Sequence, residues 1–533
     1  PTDDDTETPV PDRRVLGQVA SALAVLAAAL IATYVVEPLS FARPWRPGDP
    51  IPFWNLLGRP FEADEPAPAD EALARLAAEV LEADEPVPDA TRPPPLPPGE
   101  PWRPRPEDLE PAPQPLELFE GHELDGFFEA LAAVDDGQDR VVRVVHFGDS
   151  AIGVDGIPGA IRRRMQARFG DAGHGFHAIA PPNTSYRHRE VRFRHNGLWR
   201  ICFIIHKCLP DGHYGLAGVA GRSAGGAESS FAPDPKRSSG KVARFTVHYA
   251  GRPGGGDLRL RVDGGDPVVL STEAPSLEDR FHTIDVDDAP HELELRAVGG
   301  GRVRVYGVAL DRPGPGIGWD GLALVGAFTN RLLEFDRAHL ARQLEARGAN
   351  LVVLTFGGND LVRSIAMDRY EAEMRQVLAH LRGARPSMAC LVMAPLDHGM
   401  RQGHRIVSVP KVRPMVEAQR RAARAEGCAF FDTVAAMGGD RAAEKWYRHR
   451  PRLLSGDLAH ATPAGQRLLG ELLYRAIVAA YVDFRRRSPS PGRPRAEDAP
   501  SPPTSGSSPR SGTSTEAAFD PASPKTGSGP GVP

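Results

Sequence analysis

The sequence predicts an α/β protein, a three-layer α/β/α sandwich around a parallel sheet with an all-β sandwich inserted into it. Short continuous apolar runs alternate with segments whose apolar residues recur at helical spacing, which is typical of buried parallel strands covered by helices. One long stretch lacks helical spacing and carries alternating runs separated by Gly, Asp and Pro. An uncharged apolar segment near the N-terminus adds a predicted transmembrane helix.

The alternating units lie between residues 141 and 481. Apolar runs that predict strands of the parallel sheet lie at residues 141–147, 322–325, 351–356, 389–394 and 428–431. Segments that predict covering helices lie at residues 157–169, 335–347, 369–381, 414–425 and 463–481. The β-rich stretch occupies residues 186–315, so we expect a β-sandwich inserted between the first and second strands of the sheet.

Residues 19–36 are eighteen residues without a charge, about enough to cross a hydrocarbon core as a helix. Arg13 and Arg14 precede this segment and acidic residues follow it, which predicts a cytoplasmic N-terminus (1–14) and a signal anchor (15–36). The remainder of the chain would then lie in the periplasm or cell envelope. A cleaved signal peptide and a buried core helix are the alternatives, and the bulky residues that end the run favour the uncleaved anchor.

Two further segments have compositions that predict little packed structure. Residues 37–116 are crowded with Pro and acidic side chains, and residues 486–533 consist mainly of small residues, Pro and Arg. Neither offers enough apolar surface to offset the entropy of ordering, so we interpret them as a linker and a disordered tail. The folded body is then predicted in three parts, 117–185, 186–315 and 316–485.

Charge and cysteine usage limit the possible partners. The formal net charge of −5 and the lack of a basic stripe with aromatics argue against nucleic-acid binding, and the Arg clusters at 162–164 and 485–487 are interpreted as solvated helix faces. The four cysteines and the scattered histidines lack zinc-ligand spacing, so no metal and no cofactor is predicted. Cys202 and Cys208 could form a disulfide, whereas Cys390 and Cys428 lie in apolar runs typical of core strands.

The first predicted strand leads into Gly148-Asp149-Ser150, followed by a loop and a helix. The carboxyl edge of a parallel sheet is where α/β proteins expose reactive side chains, and backbone N–H groups of the next helix could hold an oxyanion there. The same residues would also serve as an ordinary helix cap. On its own, this motif does not decide between a nucleophile and a cap.

Two more motifs follow later in the chain. Gly357-Gly358-Asn359-Asp360 ends the third strand at the same edge, where the Asn359 amide could donate to an oxyanion. Asp457 precedes His460 by three residues on a loop before the last helix, a spacing that lets a carboxylate orient an imidazole towards a serine. Together the three motifs predict Ser150 as nucleophile, His460 as base, Asp457 as its orienting acid and Asn359 as oxyanion donor.

This set of motifs resembles the SGNH/GDSL hydrolase family, and within it the O-acetylpeptidoglycan esterases and related envelope O-acetyltransferase-like proteins. Further similarity lies in residues 169–176, 213–218 and 436–439 and in the carbohydrate-binding-like β insertion. The resemblance implies an oxyanion hole formed by the backbone N–H groups of Ser150 and Gly326 together with Asn359, with Gly321 as the alternative glycine. One position departs from the family, since Ala151 stands where relatives often have His.

The resemblance implies an envelope serine esterase that deacetylates an O-acetylated polysaccharide, most plausibly peptidoglycan, through an acyl-enzyme. An O-acetyltransferase with the same triad and a non-catalytic glycan-binding scaffold are the alternative hypotheses. Trp199, Tyr214 and Trp319 are either sugar-stacking residues or ordinary core residues.

Overall fold

The structure is a computed structural model that describes residues 13–35, 68–83, 102–403 and 405–487. Residues 1–12, most of the predicted linker and nearly all of the predicted tail lie outside these ranges. The α-helices of the described residues are α1 (Arg13–Val35), α2 (Pro68–Glu82), α3 (Asp125–Asp135), α4 (Gly156–Phe169), α5 (Arg337–Arg347), α6 (Met367–Ala384), α7 (Val412–Ala425), α8 (Thr433–Ala436), α9 (Ala442–Arg448) and α10 (Pro463–Arg487).

The strands of the described residues form a five-stranded parallel sheet, antiparallel sheets of six and five strands, and a two-stranded hairpin. They are β1 (Val141–Gly148), β2 (Gly173–Ala178), β3 (Val191–His195), β4 (Arg200–Phe203), β5 (Val219–Ser223), β6 (Glu228–Pro233), β7 (Val242–Gly251), β8 (Asp257–Val262), β9 (Val268–Ser271), β10 (Glu278–Ala289), β11 (Leu293–Gly299), β12 (Val303–Asp311), β13 (Gly316–Ala323), β14 (Leu351–Thr355), β15 (Ala389–Met393), β16 (Gly399–Gln402), β17 (Arg405–Ser408) and β18 (Ala429–Phe431).

The parallel sheet has the order β13-β1-β14-β15-β18 and confirms the predicted α/β architecture. Its strands are buried on both faces, as their continuous apolar runs predict. Helices α3, α4 and α10 contribute buried side chains to the core on one face, and α5, α6 and α7 contribute to the core on the other. Because all strands run in one direction, the loops that follow them meet at a single edge of the sheet.

The β-rich stretch forms two antiparallel sheets that enclose an apolar core of their own. One sheet has the order β10-β7-β12-β5-β4, and the other has the order β3-β6-β11-β8-β9. Strand β2 lies before the predicted start of the insertion at residue 186, yet it pairs with β12 and so extends the first of these sheets. The change from helical to β structure therefore comes earlier in the chain than the spacing of apolar residues predicts.

Part of the predicted linker is folded, which corrects that prediction. Helix α2 lies within residues 37–116 and buries Leu76, Ala77 and Val80 in the core that also contains α10. Residues from 102 onward are also packed, since Asp108 forms a buried ion pair with Arg168 of α4. The helical spacing of a few apolar residues is enough to attach α2, although Pro and acidic side chains dominate the composition around it.

The interpretation of the Arg clusters as solvated helix faces is wrong for several of their members. Arg162 is fully buried, Arg163 is 4% exposed, and Arg485 is 5% exposed. Each guanidinium has acidic partners: Arg162 contacts Asp155 and Glu190, Arg163 contacts Glu190, and Arg485 contacts Asp136. Glu190 and Asp136 lie far from these arginines along the sequence, so local composition cannot identify them as partners.

Helix α1 overlaps residues 15–36, for which the sequence predicts a transmembrane anchor. Among the residues that the structure describes, no helix is both long and apolar enough to cross a membrane. The anchor therefore stays a prediction.

All four cysteines are paired. Cys202 and Cys208 form one disulfide, with Cα atoms 5.9 Å apart. Cys390 of β15 and Cys428, the residue before β18, form the other, with Cα atoms 4.7 Å apart. The second disulfide covalently links β15 to the start of the neighbouring strand β18, so these buried cysteines cross-link the parallel sheet as well as packing in the core.

Candidate active site

The first two catalytic motifs follow neighbouring strands of the parallel sheet. Gly148, the last residue of β1, pairs with Thr355, the last residue of β14. The Asp149 backbone N–H donates to the Thr355 carbonyl at 3.0 Å, which holds the two strand ends together. A Cβ atom on Gly148 would lie 2.8 Å from that same carbonyl, so glycine is needed for this close approach. The shared edge brings the Ser150 and Asn359 segments into one site.

Ser150, His460 and Asp457 form a continuous hydrogen-bonded chain. The distance from Ser150 Oγ to His460 Nε2 is 2.8 Å, and the distance from His460 Nδ1 to Asp457 Oδ2 is also 2.8 Å. Because a carboxylate can only accept, Nδ1 carries the proton and Nε2 is left to accept from the serine hydroxyl. This is the arrangement that lets an imidazole act as base towards a serine.

The Asp457 carboxylate is held by the loop that carries it. Its Oδ1 accepts from the Ser455 hydroxyl and from the backbone N–H groups of Ala459 and His460. Partial burial raises the pKa of Asp457, but the hydrogen bonds from Ser455, Ala459 and His460 outweigh this and bring the pKa well below its usual range. The group is therefore ionised at neutral pH and able to stabilise an imidazolium.

Ser150 lies in a short 3₁₀ turn and not at the start of an α-helix. This turn spans Ser150–Asp155, and the Asp149 side chain caps it by accepting from the Ala151 N–H at 2.9 Å. Helix α4 begins only at Gly156, so the expectation that Ser150 would lie beside the N–H groups of the next helix is corrected. The backbone N–H groups near Ser150 belong to this tight turn. One of them, the Ala151 N–H, already donates to the Asp149 side chain.

The Asn359 amide is positioned by the loop that follows β13. Its Nδ2 donates to the Ala327 carbonyl at 3.1 Å. Since the amide group carries two N–H bonds, the second is left for a ligand in the cavity that Asn359 lines together with Ser150 and His460.

The structure does not bring Gly326 to the wall of this cavity. Gly326 has a φ of +85° in the loop after β13, directly before Ala327, so it adjoins the carbonyl that holds Asn359. The alternative, Gly321, lies inside β13 opposite His146, and a Cβ there would lie 2.8 Å from Pro158. Of the two glycines, only Gly326 lies on the loop that contacts the Asn359 side chain.

The cavity beside the triad is small. Its volume is about 190 Å³, and Val362, Pro395 and Leu396 contribute apolar surface to its wall. The buried Asp149 carboxylate forms part of it, and burial raises the pKa of Asp149 to about 6. A space of this size with an apolar wall suits a short acyl group.

His398 is a site residue that sequence reasoning missed, because its spacing matches no motif. Its ring lines the cavity together with Ser150 and His460. The Nδ1 atom lies 2.8 Å from the Leu396 carbonyl, which can only accept, so Nδ1 is the protonated nitrogen. Burial lowers the pKa of His398, and the ring is neutral with an acceptor at Nε2.

Other residues considered in the sequence are buried away from the triad. Trp199, Tyr214 and Trp319 are at most 6% exposed and belong to the core. His213, Asp279 and His339 lie close enough together to suggest a metal site. However, His339 Nδ1 bonds Asp279 at 2.6 Å and its Nε2 accepts from the Gly215 N–H at 2.8 Å. With both ring nitrogens engaged, the residues present do not fit a metal ion.

Comparison with known proteins supports this assignment of the fold. Residues 295–468 match the model of the GDSL-like Lipase/Acylhydrolase family, a range that includes Asn359, Asp457 and His460 but not Ser150. No curated protein matches the sequence. Among solved structures, a peptidoglycan O-acetylesterase is similar with a TM-score of 0.56 and 19% identity over 66% of this chain and 95% of that chain.

A second solved structure is a catalytic mutant of an acetylxylan esterase from Geobacillus stearothermophilus. It is 22% identical over 30% of this chain and 73% of that chain, with a TM-score of 0.24. At these identities the likeness to solved structures concerns the fold alone. The match to the family model, which covers the strand-end Asn and the Asp–His pair, carries the assignment. The chain is therefore an ester hydrolase whose residues 295–468 are similar to the GDSL-like lipase/acylhydrolase family.

Proposed function

We propose that this protein is a membrane-anchored serine esterase of the cell envelope that removes acetyl groups from an O-acetylated polysaccharide, with peptidoglycan as the preferred substrate. The observation that carries the proposal is the hydrogen-bonded chain from Ser150 through His460 to Asp457 at a cavity of about 190 Å³. The small volume and the apolar wall favour acetyl over longer acyl groups.

The proposed reaction is a two-step acyl transfer to water. Ser150 Oγ attacks the ester carbonyl while His460 Nε2 takes the hydroxyl proton, and Asp457 stabilises the imidazolium. The oxyanion is held by the Ser150 N–H and the free N–H of Asn359. Gly326, which does not line the cavity, contributes through the loop that holds Asn359. His460 then donates that proton to the departing sugar oxygen, which leaves as a hydroxyl. Water attacks the acetyl-enzyme with His460 again as base, and acetate leaves.

Two features support the choice of substrate and compartment. The solved structure that is similar over 95% of its own length is of a peptidoglycan O-acetylesterase, which favours an acetylated wall polysaccharide here as well. Both pairs of cysteines form disulfides, and disulfides are typical of compartments outside the reducing cytosol. An N-terminal anchor over residues 15–36 would keep the catalytic domain at the membrane in that compartment.

The first test is hydrolysis of a chromogenic acetyl ester by the full chain. We expect turnover in the wild type and a fall in turnover of about 10⁴-fold or more in Ser150→Ala. Turnover should be unchanged in Ser276→Ala, a matched change at an exposed serine of the β insert. Turnover in Ser150→Ala equal to the wild type would exclude the proposed nucleophile.

The second test identifies the substrate. Acetate release is measured from O-acetylated peptidoglycan, from acetylated xylan and from the same peptidoglycan after mild alkaline deacetylation. We expect release from acetylated peptidoglycan at the highest kcat/KM and none from the deacetylated sample. Acetyl groups recovered on an added glycan acceptor, in place of free acetate, would show that the enzyme is a transferase.

A further inference from the structure

The cavity beside the triad contains a histidine that the proposed reaction does not use. The ring of His398 lines this cavity together with Ser150 and His460. The chain at His398 is bonded to the catalytic loop, because the backbone N–H of the next residue, Gly399, donates to the Leu458 carbonyl at 2.7 Å. The ring is therefore held beside the nucleophile by a contact with the loop that carries the base.

Only one nitrogen of the His398 ring has a hydrogen-bond partner among the described residues. Nδ1 donates to the Leu396 carbonyl at 2.8 Å, which leaves the lone pair of the neutral ring at Nε2. Burial lowers the pKa of His398, and the charge on His460 lowers it further, so the ring stays neutral while His460 takes up a proton. Nε2 is therefore a hydrogen-bond acceptor in the wall of the cavity.

Gly358 leaves the space in front of this acceptor open. A Cβ atom at position 358 would lie 3.2 Å from His398 Nε2, which is closer than ordinary van der Waals contact. Glycine has no such atom, so a small molecule in the cavity can reach Nε2. The next residue is Asn359, which lines the same cavity and whose free N–H is proposed to hold the oxyanion. Nε2 thus lies beside the segment that fixes the position of the acyl carbon.

The two steps of the proposed reaction make different demands on such an acceptor. In the first step Ser150 has a single hydroxyl proton, and His460 takes it. In the second step the attacking water has two protons, of which His460 takes one and the other needs an acceptor. A sugar hydroxyl that attacked in place of water would have one proton only, so its approach would leave Nε2 without a donor and cost free energy. His398 is thus suited to water and not to an alcohol.

We propose that His398 is a positioning residue for the water that deacylates the enzyme, and that it selects water over an alcohol as acceptor of the acetyl group. The inference rests on the proposed function, because it takes an acetyl ester at Ser150 as its starting point. It assigns the choice between hydrolysis and transfer, which the triad leaves open, to a side chain outside the triad. His398 acts by accepting from the second hydrogen of the water that His460 activates.

During deacylation the water oxygen forms a bond to the acetyl carbon while one of its protons passes to His460 Nε2. The second hydrogen stays on that oxygen and donates to His398 Nε2, which orients the attacking lone pair. The bond between the acetyl carbon and Ser150 Oγ then breaks, and His460 returns its proton to Oγ. Acetic acid leaves and gives its remaining proton to solvent, so no proton is transferred to His398.

The test measures how the acetyl-enzyme divides between water and an alcohol. Full-chain wild type and His398→Ala hydrolyse a chromogenic acetyl ester in the presence of methanol. The ratio of methyl acetate to free acetate is determined after subtraction of the products formed with Ser150→Ala. We expect this ratio to rise about tenfold in His398→Ala, because water loses its second contact and methanol does not. The value of kcat/KM, which reports formation of the acetyl-enzyme, should change less than about twofold.

Further variants separate the acceptor from the shape of the ring. His398→Phe keeps a flat ring without an acceptor and should raise the ratio as much as His398→Ala does. His398→Gln keeps an acceptor in its amide oxygen and should give a ratio between those of His398→Ala and the wild type. His206→Ala, a matched change at an exposed histidine outside the cavity, should leave the ratio unchanged.

An unchanged ratio in His398→Ala and His398→Phe would overturn the proposal even if their turnover falls, because a structural role affects both acceptors alike. An equal rise in His206→Ala would overturn it as well. Thermal unfolding midpoints that match the wild type ensure that the ratio is measured on folded protein. Wild-type turnover that Ser150→Ala leaves intact would end the proposed function itself, whereas Ser150-dependent turnover with an unchanged ratio would end only the role of His398.

Discussion

Asp457 and Asp155 are two carboxylates that each hold a basic partner, but their surroundings are opposite. The side chains of Asp457 and His460 are 53% and 45% exposed, whereas those of Asp155 and Arg162 are 2% and 0% exposed. Asp457 and His460 lie on one loop, three residues apart, while Arg162 joins Asp155 to Glu190 and also donates to the Trp319 carbonyl. The exposed pair of Asp457 and His460 can reach substrate and water. The buried cluster of Asp155, Arg162 and Glu190 fixes α4 against the rest of the fold.

The two regions should therefore respond differently to mutation. Loss of a triad member removes transition-state stabilisation with little effect on the free energy of unfolding. Loss of a member of the buried cluster leaves an uncompensated charge in the interior and lowers the free energy of unfolding.

Asp457→Asn should give the largest effect in this comparison. The new amide can keep the oxygen that Ser455, Ala459 and His460 contact, but it cannot accept from His460 Nδ1–H. The imidazole loses its tautomer and orientation, and we expect kcat for the acetyl ester to fall about 10⁴-fold. Steady-state kinetics measures this, with the thermal unfolding midpoint as control. A fall below about tenfold would contradict a role for Asp457 as the orienting acid.

Arg162→Met should destabilise the fold by about 3–5 kcal/mol, because the buried Asp155 would lose its guanidinium partner and Glu190 would keep only Arg163. The free energy of unfolding from urea titration at neutral pH measures the change. A loss below about 1 kcal/mol would mean that the cluster is no more important to stability than a surface ion pair.

Asp149→Asn tests a carboxylate that is buried without a basic partner at hydrogen-bond distance. Burial raises the pKa of Asp149 from 3.8 to about 6, so the folded protein holds this proton more tightly than the unfolded chain does. Its contribution to stability is fully present below about pH 4 and is lost as pH rises through about 6.

In the Asn variant this pH dependence should be absent. Relative to the wild type, the variant should gain stability between pH 4 and pH 7 by an amount on the order of 3 kcal/mol. Urea unfolding of both proteins across that range measures the difference. Parallel curves for the two proteins would show that Asp149 titrates normally.

Arg244→Ala should have the smallest effect. Arg244 and Asp285 form an ion pair on the β insert with side chains that are 52% and 65% exposed. Solvent screens such a pair, so we expect a change in the free energy of unfolding of less than about 1 kcal/mol. The same urea titration measures it, and a loss as large as that of Arg162→Met would remove the distinction between exposed and buried pairs.

The sequence predicts the parts of this molecule whose signals are local. Continuous apolar runs identify the parallel strands, and the motifs after β1 and β14 identify Ser150 and Asn359 as neighbours because parallel strands end at one edge. The three-residue spacing of Asp457 and His460 identifies them as a pair. The contact of Asn359 with the Ala327 carbonyl is not predictable in the same way, because it depends on the shape of a loop.

Features that depend on distant partners escape local patterns. Helix α2 lies within a segment whose composition is dominated by Pro and acidic residues, and the surface of α10 that buries its apolar face is distant along the chain. The burial of Arg162 depends on Glu190, which lies in another part of the chain. The disulfide between Cys390 and Cys428 follows from the strand order, which brings β15 beside β18.

The hydrogen bond between Ser150 and His460 joins residues 310 positions apart, with the whole β insert between them. During translation the nucleophile is made early and its base close to the end of the folded chain. A ribosome therefore releases no active enzyme until nearly all of the domain has been synthesised, and any product that stops before residue 460 lacks its general base. Synthesis beyond residue 460 is thus a precondition for hydrolysis, imposed by the order of the motifs along the chain.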